Sequence, residues 1–169
     1  YYSVGVLVFE PMLQAIKDAK SFIFLEYFIY EKGYFWDSIL EVLKKKVQEG
    51  LDVRLMYDDI GSIGTLPGRY WKTLQKYGIK AIAFNSAKPR LKPTFNYRDH
   101  RKMCIVDGNI VFSGGINIAD EYINKKKRFG HWKDNAFMLK GSGVWNYTVM
   151  FLRLWDLACP SKYYVNDFS

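Results

Sequence analysis

Amphipathic and apolar stretches alternate through the first half of this chain, and that alternation restricts the fold more than any other feature. Phe9, Met12, Leu13, Ile16 and Ala19 recur at helical spacing and predict a first helix. Residues 21–30 are aromatic-rich and apolar, as a buried strand requires. Trp36, Ile39, Leu40, Leu43 and Val47 predict a second helix, stopped by Gly50. A strand over 51–57, a helix carrying Tyr70, Leu74 and Tyr77 and ended by Gly78, and a strand over 79–84 continue the series. Such a series predicts an α/β fold: a mixed, mostly parallel sheet flanked by helices on both faces. No internal repeat and no low-complexity segment interrupts residues 1–169, which read as a single domain.

The second half changes character. Residues 85–99 carry Pro89 and Pro93 with Lys88, Arg90, Lys92 and Arg98, the composition of a basic loop. Asp107-Gly108 is a tight-turn signal, so 101–106 and 110–113 are expected to form a hairpin. A last strand over 135–140 precedes a helix marked by Val144, Thr148, Phe151, Leu152 and Trp155.

The chemistry concentrates where the loop enters the hairpin. If residues 100–106 are extended, His100 and Lys102 point to one face. Imidazole is a competent nucleophile near neutral pH, and lysine offers a point charge to phosphate oxygens. Gly114 and Gly115 lack a Cβ and would let backbone approach a ligand, and Asn117 could donate an amide hydrogen bond to the same phosphate. They also serve simply as a turn. Asp107 completes the run, although a turn-capping carboxylate explains it equally well. Glu26 interrupts an apolar strand and needs partners, either in the site or in a structural bond. Asp58 and Asp59 follow a strand at its carboxyl end, where α/β sites form, but a loop role is the simpler reading. His131 reads as solvated. The run Lys125, Lys126, Lys127 and Arg128 reads as a solvated face or as a headgroup attractor.

The pattern H-x-K-x4-D followed by G-G-x-N is the signature of the phospholipase D superfamily, which this chain resembles. Glu26-Tyr27-Phe28-Ile29, Tyr57-Asp58-Asp59-Ile60-Gly61, Asn96-Tyr97-Arg98-Asp99-His100-Arg101-Lys102, Gly114-Gly115-Ile116-Asn117-Ile118-Ala119-Asp120-Glu121-Tyr122 and Phe129-Gly130-His131-Trp132-Lys133-Asp134 are similar to the first catalytic half of bacterial cardiolipin synthases. The resemblance implies a phospholipase D-like half-domain of a membrane-anchored enzyme carrying two such motifs. It implies catalytic roles for His100 and Lys102, a mainly scaffolding Asp107, and an orienting carboxylate for His100 at Asp134, with Glu121 as competitor. It implies phosphatidylglycerol, an anionic phospholipid, as substrate, and no metal or other cofactor. The partners it implies are a second catalytic half or a homodimer mate, and a membrane surface. The full protein would sit at the cell membrane with this domain facing the cytoplasm.

Net charge is +8, which suits anionic partners without choosing between lipid headgroups and nucleic acid. The synthase-like motifs argue against nucleic acid. Two other readings stay open: a single-motif phosphodiesterase or nuclease completed by dimerisation, and a non-catalytic phosphate-binding module. Cys104 and Cys159 show no metal-ligand spacing, and Cys104 reads as a buried free thiol, as in a reducing compartment.

Overall fold

A computed structural model describes residues 1–84, 98–128 and 130–159. Most of the basic loop expected at 85–99 lies outside them. The elements follow the order α1 (Val6–Asp18), β1 (Phe22–Tyr27), α2 (Tyr34–Gln48), β2 (Asp52–Asp58), α3 (Tyr70–Lys76), β3 (Lys80–Phe84), β4 (Met103–Val106), β5 (Ile110–Gly114), β6 (Ala136–Lys140) and α4 (Val144–Ala158). All ten match the segments read from periodicity.

One six-stranded sheet runs in the order β3-β2-β1-β4-β5-β6. β1 pairs in parallel with β2, and β2 with β3, because a helix crosses over between each pair. The remaining ladders, β1 with β4, β4 with β5 and β5 with β6, are antiparallel. The sheet is therefore mixed, but its expected parallel majority is not there. No helix separates β4, β5 and β6 among the described residues, so nothing returns the chain to the start of the sheet between them.

Helices cover both faces. Val8, Met12 and Ile16 of α1, Phe35, Ile39 and Leu43 of α2 and Leu74 of α3 pack with Ile23, Leu25, Val53, Leu55, Cys104 and Phe112. On the other face Phe151, Leu152 and Trp155 of α4 pack with Phe24, Met56, Met103, Ile105 and Val111. Alternation assigns the faces: odd positions of β1 face α1 and α2, and even positions face α4. Cys104 is a fully buried free thiol, and burial pushes its pKa up to about 12. Among the described residues no helix is long and apolar enough to cross a membrane.

The β4–β5 hairpin turns as its sequence predicts. Asp107 and Gly108 have φ of 52° and 62°, and Asn109 N–H donates to the Val106 carbonyl at 3.1 Å, the pattern of a type I′ turn. Register then fixes the site. Met103 pairs with Glu26 near the carboxyl end of β1 and with Ser113 of β5, while Gly114 pairs with Ala136 at the start of β6. The lead-in to β4, the exit of β5 and the entry to β6 therefore converge on one end of the sheet.

Candidate active site

His100 and Lys102 precede β4 and emerge on the α1/α2 face, in phase with Cys104. The Lys102 ammonium lies 3.1 Å from His100 Nδ1 and 2.5 Å from the His100 carbonyl oxygen. His100 is exposed, whereas only 5% of Lys102 is accessible. Desolvation lowers the pKa of Lys102 below the ordinary lysine value, and the carboxylates of Asp99 and Asp134 partly counter it. The ring of Phe28 packs 4.9 Å from the imidazole and lies 5.6 Å from the ammonium. A cation and a ring nitrogen thus stand together at the sheet end, braced by one aromatic face. The Ser113 hydroxyl ties the Lys102 carbonyl to β5 at 2.7 Å.

Asp134 belongs to this end of the sheet, and its field reaches both Lys102 and Tyr122. Gly115 makes that possible: a Cβ there would stand 2.1 Å from Asp134 Oδ1. At Gly114, with φ of 150°, a Cβ would meet the Asn135 carbonyl at 2.4 Å. The observed role of these glycines is structural: they let the entry to β6, with its carboxylate, close against β5.

Asn117 is buried and already engaged. Its Oδ1 accepts from the Ile29 N–H at 3.0 Å, and its Nδ2 donates to the Tyr122 hydroxyl at 2.9 Å. The amide therefore fastens the exit of β1 to the loop after β5. A phosphate contact would use its second amide hydrogen.

Asp107 does not join the cluster. It sits at the opposite end of β4, where Oδ2 accepts from Lys20 N–H at 2.8 Å and Oδ1 accepts from Ser21 at 2.8 Å and Phe22 at 3.0 Å. Its candidacy as a catalytic residue is corrected to that of a scaffold binding the turn to the start of β1. Glu121 is buried and pairs with Arg128 at 3.4 Å. Asp58 caps the loop after β2, accepting from Ile60 and Gly61 N–H at 3.0 Å each. The basic run is partly engaged, with Lys126 on Glu31 at 2.5 Å and Lys125 4.9 Å from the Tyr34 ring centre. His131 is exposed. Among the described residues no cluster of three metal-ligating side chains occurs.

Sequence reading missed five participants. Phe28 sits where β1 ends, and Tyr122 holds Asn117. Asp120 caps α2 by accepting from Tyr34 and Phe35 N–H at 2.9 and 2.7 Å. Asp99 and Arg101 flank His100 and point to the other face, toward Glu26. Only this last pair left a signal, charges at odd positions opposite an acid in an apolar strand.

Glu26 itself is wholly buried, and Arg101 Nε lies 2.7 Å from its Oε1, off the axis of a hydrogen bond. Burial, then Asp99, pushes its carboxyl up to about 9 against the pull of Arg101.

Comparison with known proteins fits this geometry. The family described as "Cardiolipin synthase, PLD-like domain" matches residues 12–155. An uncharacterized protein of Streptococcus mutans is 50% identical over 92% of this chain and 34% of its own length. Cardiolipin synthase 1 of Bacillus anthracis is 37% identical over 89% of this chain and 30% of its own. The chain therefore spans about a third of the length of these curated relatives. Two solved structures share the fold. Phosphatidylserine synthase of Haemophilus influenzae gives a TM-score of 0.67 at 16% identity, over 89% of this chain and 35% of that one. The phospholipase D family member Nuc of Salmonella typhimurium gives 0.59 at 21%, over 88% and 84%. Taken with the paired His100 and Lys102 at the sheet end, the match over most of its length shows that this chain belongs to the cardiolipin synthase, PLD-like domain family.

Proposed function

We propose that this chain is one catalytic half of a membrane-anchored phosphatidyltransferase that condenses two phosphatidylglycerols into cardiolipin and glycerol. The observation that carries the reading is the Lys102 ammonium held 3.1 Å from the ring of an exposed His100. An arriving phosphate draws the ammonium onto its oxygens and away from Nδ1. Nδ1 can then hold the ring proton, and Nε2 attacks phosphorus. The P–O bond to glycerol breaks as the P–N bond forms, and the alkoxide takes a proton from an acid supplied by the second half. The terminal hydroxyl of another phosphatidylglycerol then gives its proton back to that group of the second half and attacks phosphorus, and the P–N bond breaks to release cardiolipin and free His100. Lys102 and Asn117 stabilise charge on the phosphate oxygens, and Asp134 helps to keep Lys102 charged. The net charge of +8 favours an anionic bilayer as the working surface.

The test is His100→Ala in the full-length parent on phosphatidylglycerol vesicles, with acid-labile phospho-histidine trapped from wild type. Cardiolipin formation should vanish while thermal unfolding is unchanged. Activity within about tenfold of wild type, a barrier change of only about 1.4 kcal/mol, rejects His100 as nucleophile or acid. Cleavage of DNA without lipid transfer would favour the nuclease reading.

A further inference from the structure

Behind the exposed His100 lies a buried acid pair that the proposed chemistry does not use. Glu26 is 0% accessible, and Asp99, the residue before His100, is 9% accessible. Both carboxylates converge on one atom: Arg101 Nε is 2.7 Å from Glu26 Oε1 and 3.0 Å from Asp99 Oδ1. That nitrogen carries a single hydrogen, and it donates to Asp99. Neither oxygen of Glu26 then has a hydrogen-bond donor among the described residues. Arg101 faces both buried carboxylates, and Lys102 acts on Asp99 alone, so the charge left without a donor is at Glu26, where a shared proton removes it.

We propose that Glu26 is a positioning residue, protonated and sharing that proton with Asp99, which locks the Asp99–Arg101 segment and so sets the direction of His100. It rests on reading His100 as the reactive group. The lead-in to β4 needs such a lock, because residues 98–102 precede the first ladder pair, Glu26 with Met103. Alternation does the coupling: Asp99 and Arg101 point to Glu26, so His100 and Lys102 point to the site. Ladder neighbours Met56 and Met103 are neutral. The charged groups nearby are Asp99, Arg101, Lys102 through its interaction with Asp99 and, a step farther, Asp58, which accepts from Asp99 N–H at 3.4 Å and faces Arg98 at 3.5 Å. The Tyr30 hydroxyl also feels Glu26, and its own pKa is raised mainly by burial. Desolvation and Asp99 together hold the Glu26 proton up to about pH 9.

Infrared difference spectroscopy and histidine-ring NMR on this chain test the idea without any activity assay. Wild type should show the carbonyl stretch of a protonated carboxyl at neutral pH, lost as pH rises through about 9 and absent in Glu26→Gln. The His100 ring resonance should match wild type in Glu26→Gln at neutral pH, because the amide supplies a permanent donor of the same shape. Wild type should show an alkaline inflection at His100 that Glu26→Gln removes, while any inflection from Lys102 survives. Asp99→Asn should move the loss of the carboxyl band to lower pH. No protonated-carboxyl band at neutral pH, or one untouched by Glu26→Gln, overturns the shared proton. A His100 inflection unchanged by Glu26→Gln overturns the positioning role. If instead His100→Ala leaves transfer intact in the parent while these signals persist, the functional reading fails and the acid pair stands.

Discussion

Asp107→Ala should unfold the chain more easily and leave the phosphate site alone. The carboxylate accepts three backbone N–H groups from Lys20, Ser21 and Phe22, at 2.8, 2.8 and 3.0 Å. A hydrogen bond to a charged acceptor contributes ~1.5–3 kcal/mol when sheltered. Lys20 and Ser21 are exposed, so their share falls to about 0.5–1 kcal/mol each, and with the Phe22 bond at the low end of that range the three sum to about 3 kcal/mol. Alanine also tolerates the φ of 52° less well than aspartate, which costs about 1 kcal/mol more. The total is about 4 kcal/mol, against ~5–15 kcal/mol for a whole domain. At ~2–4 °C per kcal/mol for a chain of this size, the midpoint should drop by roughly 10 °C. Asp107→Gly relieves the dihedral cost but loses the same bonds, so it should fall between the two. Urea and thermal unfolding measure the loss. Phosphate titration followed at the His100 ring measures the site, and below the new midpoint it should match wild type. Normal stability with lost phosphate binding would refute the scaffold assignment and return Asp107 to the chemistry.

Gly115→Ala puts a Cβ 2.1 Å from Asp134 Oδ1, so the entry to β6 must shift, costing about 1–3 kcal/mol. With Asp134 displaced, the pKa of Lys102 should fall further; Gly68→Ala, which meets nothing within 4 Å, is the neutral control in the same unfolding assay. If Lys102 holds phosphate as proposed, it does so as the ammonium, and affinity should be present at neutral pH and decline as pH rises through a value below the ordinary 10.5, because burial lowers that pKa. Lys102→Arg should carry this decline to higher pH, and a wild-type midpoint at or above 10.5 in an NMR titration would contradict the burial argument. Asp120→Ala should cost about 1–2 kcal/mol by uncapping α2, read as faster hydrogen exchange at Tyr34 and Phe35.

Periodicity made the elements legible, since each buries one face of a helix or a strand. It misjudged strand direction because the α/β alternation that demands parallel pairing stops at β3. Beyond it a two-residue turn joins β4 to β5, and hairpins are antiparallel by construction. In the site, the shared face of His100 and Lys102 followed from strand alternation alone. What stayed hidden were contacts between residues far apart in the chain. Asp107 reaches Lys20 across 87 positions, and Asn117 reaches Ile29 across 88, distances over which no local pattern carries information. The structural partners of the glycines were hidden for a related reason. Lack of a Cβ signals a close approach without saying what approaches, and here it is Asp134 and Asn135.

The distance along the chain from His100 and Lys102 to Asp107 has its own physical meaning. β4 is four residues long, and its ends do different work. At one end Asp107 fixes a type I′ turn and clamps it to the start of β1, which sets the pairing of Ile23 with Val106 and hence of Glu26 with Met103. At the other end that register decides which side chains enter the site. A slip of one residue would turn His100 and Lys102 toward Glu26 and α4, and would send Asp99 and Arg101 to the site. An aspartate at the far end of the strand is thus bound to the histidine by geometry: its spacing is the length of strand that must be held in phase.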